Sequence, residues 1–176
     1  MARRRRWTFF SVGCTLAAVA AVVVGTLTWG GSDLRAAEAE ADPALKRARE
    51  QVQMLDELYK NAVVSITKIY DGPPAIRVAK QLFSAMEKGG WHSAKLVDVS
   101  GAPQNEANLP ASPFEKRAAA AIRGGKPYYE EVVDGPSGRR LLAATVVPAV
   151  QKKCATCHGV EEGELLGFLR YELPVK

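Results

Sequence analysis

Cys154, Cys157 and His158 stand in the order C-x-x-C-H within Cys154-Ala155-Thr156-Cys157-His158. Two thiols at this spacing can each add to a vinyl group of one porphyrin, while the adjacent imidazole is left facing the iron. The pattern is the attachment site of a c-type haem. Cys154 and Cys157 are then the thioether tethers, His158 is the proximal iron ligand, and the cofactor is one covalent haem c. Two other chemistries use the same residues. A thiol-disulfide oxidoreductase would use the Cys154/Cys157 pair, but a thioredoxin-like C-x-x-C follows an early strand and opens a helix, whereas this one lies near the C-terminus. A zinc-binding domain would need four ligands, and only Cys154, Cys157, His158 and His92 are on offer. A purely structural disulfide would close too short a loop to hold much of the fold, because its stabilisation grows with loop length.

The second axial position has three candidates. His92 is the other histidine of the chain, and would give a low-spin bis-histidine electron carrier; Met86 and Met54 would give histidine-methionine ligation with a higher potential. Each has a plainer reading. A lone histidine beside Gly89-Gly90-Trp91 reads as a turn residue, and Met86 on an apolar helical face reads as core. An open, five-coordinate iron is the remaining alternative. Trp91, Tyr128, Tyr129 and Tyr171 could line a haem but read first as core aromatics. Arg139 and Arg140 could pair with propionates, and Lys152 and Lys153 could dock an acidic redox partner. Solvated surface positions are the plainer reading for these four.

Covalent haem attachment takes place outside the cytoplasm, and the N-terminus fits export. Arg3, Arg4, Arg5 and Arg6 precede a stretch from Trp7 to Gly31 without a charged residue, and Asp33 is the first acidic residue. The positive-inside rule keeps the arginines cytoplasmic and exports the rest. The apolar stretch is nearer the length of a membrane span than of a signal-peptide core. Ala37-Glu38-Ala39 nevertheless resembles a cleavage site. Two localisations follow: a periplasmic domain anchored in the inner membrane, or a domain secreted to the periplasm after cleavage. Without Arg3 to Arg6, the 24 basic residues become 20 against 19 acidic ones, so the exported part is near neutral and nothing points to nucleic acid.

The chain divides into residues 1–31, a basic stub and membrane anchor or signal peptide; 32–43, a linker; and 44–176, one domain of ordinary size. Asp42-Pro43 reads as a helix cap and first turn. Leu45, Ala48, Val52, Leu55, Tyr59, Ala62, Ile66 and Ile69 then recur at three- and four-residue steps as one apolar stripe. Such a stripe suits packing on its own domain, and also a coiled-coil homodimer through residues 45–69. Asp71-Gly72-Pro73-Pro74 breaks the helix. A second helix is expected over Ala75 to Lys88, with Ala75, Ala79, Leu82, Phe83 and Met86 on one face and Gly89-Gly90 at its end. A strand is expected over Ser93 to Val99, and an ordered loop over Ala102 to Ala111. Ser112-Pro113-Phe114-Glu115 forms a capping box that opens a third helix ending near Gly124-Gly125. Tyr128 to Val133 and Arg140 to Val147 read as a hairpin with a longer loop, and Phe168 to Leu173 as a last strand. The plan is α+β.

With these elements in place the chain resembles the secreted or membrane-anchored c-type haem domains with a PAS-like fold, long catalogued as a domain of unknown function. Some stand alone; others are sensory inputs of signalling proteins. The residues that carry the resemblance are the Asn105 to Asn108 loop with Pro110, the Phe114-Glu115 pair, Pro148 ahead of Cys154-Ala155-Thr156-Cys157-His158-Gly159, and a closing strand with Gly167 and Pro174. They span roughly Leu55 to Lys176.

The resemblance implies a PAS-like antiparallel sheet with a long N-terminal helix, and the same roles for Cys154, Cys157 and His158. The free ring nitrogen of His158 is expected to donate to a backbone carbonyl or a water. In some relatives a cysteine on the first long helix is the second axial ligand; the stretch from Pro43 to Ile69 has none, so that role does not transfer. The expected function is non-catalytic: redox or ligand sensing, or electron transfer. Six residues before the apolar segment and 18 after His158 leave no room for an output domain, so a signal would leave through a redox or signalling partner.

Overall fold

A computed structural model of the chain describes residues 42–69 and 75–176. The expected anchor or signal segment, most of the linker and the Asp71-Gly72-Pro73-Pro74 breaker lie outside the described residues. Among the described residues no helix is long and apolar enough to cross a membrane.

Asp42 caps helix α1, Pro43–Ile69, by accepting from the backbone N–H groups of Ala44 and Leu45 at 2.9 and 3.1 Å. Those bonds, together with Arg139, hold its carboxyl below the usual carboxylate range. Helix α2 spans Ala75–Lys88, and strand β1 spans Ser93–Asp98. A short 3-10 turn, Glu106–Asn108, lies within the expected loop and is capped by Asn105. Helix α3, Pro113–Arg123, opens with both bonds of the capping box formed. Strands β2, Tyr128–Gly135, and β3, Gly138–Pro148, are followed by helix α4, Lys152–His158, and strand β4, Leu165–Pro174.

The four strands form an antiparallel sheet in the order β1-β4-β3-β2, which makes the domain α+β. Alternation along the strands divides the core between the two faces of the sheet. Leu141, Ala143, Leu169, Tyr171 and Leu173 face α1 and α2, and pack with Val52, Leu55, Tyr59 and Phe83. Val97, Ala144 and Phe168 face the other way, onto Phe114, Ala118 and Ile122 of α3. Full burial of a side chain such as Phe168 or Leu141 contributes about 1.5–3 kcal/mol, so these two layers hold the sheet between its helices.

The α1 stripe does two jobs. Leu45, Ala48, Val52, Leu55 and Tyr59 are buried within the domain, while Ile69 is exposed and Ile66 is half-buried. On α2, Ala75, Ala79 and Phe83 are buried, whereas Leu82 is exposed and Met86 half-buried, so the apolar face is narrower than expected. The hairpin differs from its expected longer loop. The β2–β3 ladder runs out to a Gly135–Gly138 pair, leaving only Pro136 and Ser137 in the turn. Gly138 at φ 95° supplies the positive dihedral that so tight a connection requires. Strand β4 approaches β1 closely at Gly167, which is paired with Asp98. A Cβ at position 167 would lie 2.0 Å from the Val97 carbonyl oxygen, so only glycine permits this spacing.

Candidate functional site

The C-x-x-C-H motif is helical. On a helix, residues three and four apart share a face, so Cys154, Cys157 and His158 come together from local geometry alone. The helix ends at Gly159, whose φ of 67° is the left-handed conformation that glycine accepts freely, with its N–H bonded to the Ala155 carbonyl. Two long-range bonds fix the helix to the rest of the domain. Gln151 Nε2 donates to the Val64 carbonyl of α1 at 3.0 Å, and Gln104 Nε2 donates to the Cys157 carbonyl at 2.9 Å. Both cysteines are free thiols; Cys154 is half-buried and Cys157 exposed.

All three motif residues line a cavity of about 360 Å³. Its other walls are mainly aliphatic: Val63, Val64 and Ile66 of α1, Ile76 of α2, and Leu96 and Leu169 of the sheet. The end of the α1 stripe therefore forms a cavity wall, while its beginning forms core. Apolar walls with a few convergent polar groups are the usual make-up of a small-molecule or cofactor site, and this volume lies within the usual range of about 300–1,000 Å³.

His158 sits beside a buried carboxylate. Its Nδ1 is buried without a hydrogen-bond partner among the described residues, and its nearest charged neighbour is Asp98 Oδ2 at 3.9 Å. Asp98 is itself buried. Its Oδ1 accepts from the N–H and Oγ of Ser100, at 2.9 and 2.7 Å. The free ring nitrogen thus has a carboxylate nearby but makes no hydrogen bond to it.

The three candidates for the second axial position lie elsewhere. Met54 is 62% exposed on α1 and Met86 is half-buried on α2; neither lines the cavity. His92 does not line it either. It is a buried residue rather than a solvated turn, and its Nε2 is bonded to the Tyr59 hydroxyl at 2.9 Å. Burial holds the His92 pKa below its ordinary value and pushes that of Tyr59 up, so the pair is a neutral hydrogen bond. Tyr59 lies on the cavity wall, with His92 behind it.

The other polar features resolve differently. Tyr171 is fully buried, stacks on Tyr59 and donates to Asp56 at 3.1 Å. Trp91 and Tyr128 are exposed, and Tyr129 packs on Phe114. Arg139 pairs with Asp42, and Arg140 pairs with Glu172 at 2.6 Å. Lys153 reaches the cavity.

Sequence reasoning missed Asp98, Gln104 and Gln151. Only Asp98 left a signal: a lone acid between Val97 and Val99 in a stretch otherwise suited to burial. Among the described residues no three histidine, cysteine or acidic side chains converge to hold a bare metal ion, which is the arrangement a zinc site requires. Two free thiols and an imidazole on one wall of an apolar cavity do fit a covalently tethered haem.

No family model and no curated protein matches the chain. Among solved structures, that of the cyanobacterial haem-protein Tll0287 is similar at 13% identity, covering 74% of this chain and 94% of that one, with a TM-score of 0.46. At that score the likeness decides neither fold nor site.

Proposed function

We propose that the chain is an exported, non-catalytic c-type haem domain of PAS-like architecture, with an iron that is open to small ligands. One observation carries the reading: the C-x-x-C-H helix lays both thiols and the imidazole along a single apolar cavity. Cys154 and Cys157 would hold the porphyrin as thioethers and His158 would hold the iron. Bound there, haem c would supply a one-electron iron couple and a coordination site for a diatomic ligand. Val63, Val64, Ile76 and Leu169 would exclude water from it, and low polarity strengthens every charge interaction inside.

The cavity lining supports an open coordination position. Among the described residues it contains no methionine and, besides His158, no histidine. The Tyr59 hydroxyl on that wall is already engaged by His92. This favours ligand or redox sensing over simple electron transfer, which is better served by two fixed axial ligands. The basic run and apolar segment support a periplasmic domain, tethered to the inner membrane or released by cleavage, that passes its state to a partner protein.

The test is addition of carbon monoxide to the dithionite-reduced protein after maturation in a cytochrome c assembly system. Prompt formation of a carbonyl Soret band is expected in the wild type, in Met86→Ala and in Met54→Ala alike. A wild type that binds carbon monoxide only after one of these substitutions, or after His92→Ala, would overturn the open site.

A further inference from the structure

We propose that Asp98 is the positioning residue for His158, holding the imidazole through Nδ1 and donating electron density through it to the iron. This rests on the haem reading of the site. Two buried polar groups face each other there. His158 Nδ1 has no hydrogen-bond partner among the described residues, and the nearer carboxylate oxygen of the buried Asp98, Oδ2, lies 3.9 Å away. A buried N–H left without an acceptor is unfavourable, and pairing it with the carboxylate removes that cost. A move of about 1 Å brings the two atoms to the length of a charge-assisted bond.

The carboxylate is held by the turn that follows its strand. Ser100 engages Oδ1 through both its N–H and its hydroxyl, which leaves Oδ2 as the edge turned towards the ring. The backbone of Asp98 pairs with Gly167, where the strands approach more closely than any side chain would permit. Asp98 therefore ends a paired strand with one carboxylate oxygen already engaged. A bond from Nδ1–H to a carboxylate fixes the tautomer that presents Nε2 to the iron and raises the basicity of the ligand. A more basic ligand stabilises the ferric state, so the reduction potential falls.

The experiment is a spectroelectrochemical titration of the matured full-length protein and its Asp98→Asn and Asp98→Glu variants, each first checked for acid-acetone-resistant haem. Asp98→Asn keeps the shape and removes the charge. It is expected to shift the ferric/ferrous equilibrium tenfold or more towards ferrous, about 59 mV for one electron, while Asp98→Glu stays nearer the wild type. Wild-type protein without covalent haem would overturn the haem reading. Asp98→Asn that carries its haem yet has an unchanged potential would overturn the role of Asp98 alone. A second measurement needs no variant: the ferrous iron–histidine stretch of the wild type, by resonance Raman, should fall in the band of carboxylate-bonded histidines. A frequency in the band of carbonyl-bonded histidines contradicts the proposal.

Discussion

Gly167→Ala tests the close approach of β4 to β1 that fixes Asp98 beside His158. The new Cβ would lie 2.0 Å from the Val97 carbonyl oxygen, 3.0 Å from its carbon and 3.2 Å from Asp98 Cα. A relaxed carbon–oxygen contact is about 3.3–3.6 Å, so the strands must part locally by more than about 1 Å. All three atoms are backbone, and no side chain can swing away to absorb the clash. Overpacking of this kind costs about 1–3 kcal/mol, and weakening the adjacent Val99 N–H to Leu166 carbonyl bond, 3.0 Å long, adds about 1 kcal/mol. The expected loss is about 2–4 kcal/mol. Urea denaturation followed by far-UV circular dichroism reads it directly. With a slope near 1.5 kcal/mol per molar, the midpoint should fall by about 1.3–2.7 M. Gly135→Ala is the control, because its Cβ would meet only the Gly138 carbonyl oxygen at an ordinary 3.8 Å. A Gly167→Ala midpoint within about 0.3 M of the wild type would refute the argument.

Tyr59→Phe keeps the ring packed against Phe83 and Tyr171 but leaves His92 Nε2 buried without its partner; a loss of about 1–3 kcal/mol is expected in the same urea assay. Stability should also fall in two stages on acidification. The buried His92 has a lowered pKa, so the unfolded chain takes up its proton first, and stability declines as pH drops below the ordinary histidine value of about 6.5. Burial raises the Glu115 pKa, but the N–H groups of Ala111 and Ser112 and the Lys95 ammonium outweigh it, so the net shift is downward. Its contribution is complete above the unfolded carboxylate value and is lost as pH falls through the lower folded one. Urea midpoints between pH 8 and pH 3 should show both stages, and His92→Gln should remove only the first.

Local signals made much of this fold legible. The capping box at Ser112, the glycine ends of α2 and α3, and the three-and-four rhythm of α1 each act within a few residues of where they are read. The C-x-x-C-H residues belong to the same class, because one turn of helix is enough to bring them together. The apolar stripe of α1 was less informative in its second half, since a cavity wall and a core present the same side chains to a pattern. The tightness of the hairpin is not legible in the sequence, because its terminal Gly135–Gly138 pair carries no hydrophobic signal. His92 read as a turn residue because its partner, Tyr59, is 33 positions earlier. Asp98 lies 3.9 Å from a histidine 60 positions later, on helix α4, and no local rule reaches that far.

The central claim is a single haem held by Cys154 and Cys157. The most direct measurement is the pyridine haemochrome spectrum of the matured protein after acid-acetone extraction. A c-type spectrum with one haem per chain, retained in the protein fraction and lost in Cys154→Ala/Cys157→Ala, is the predicted result. Haem that extracts into the acetone phase with a b-type spectrum, or no haem at all, would contradict the account.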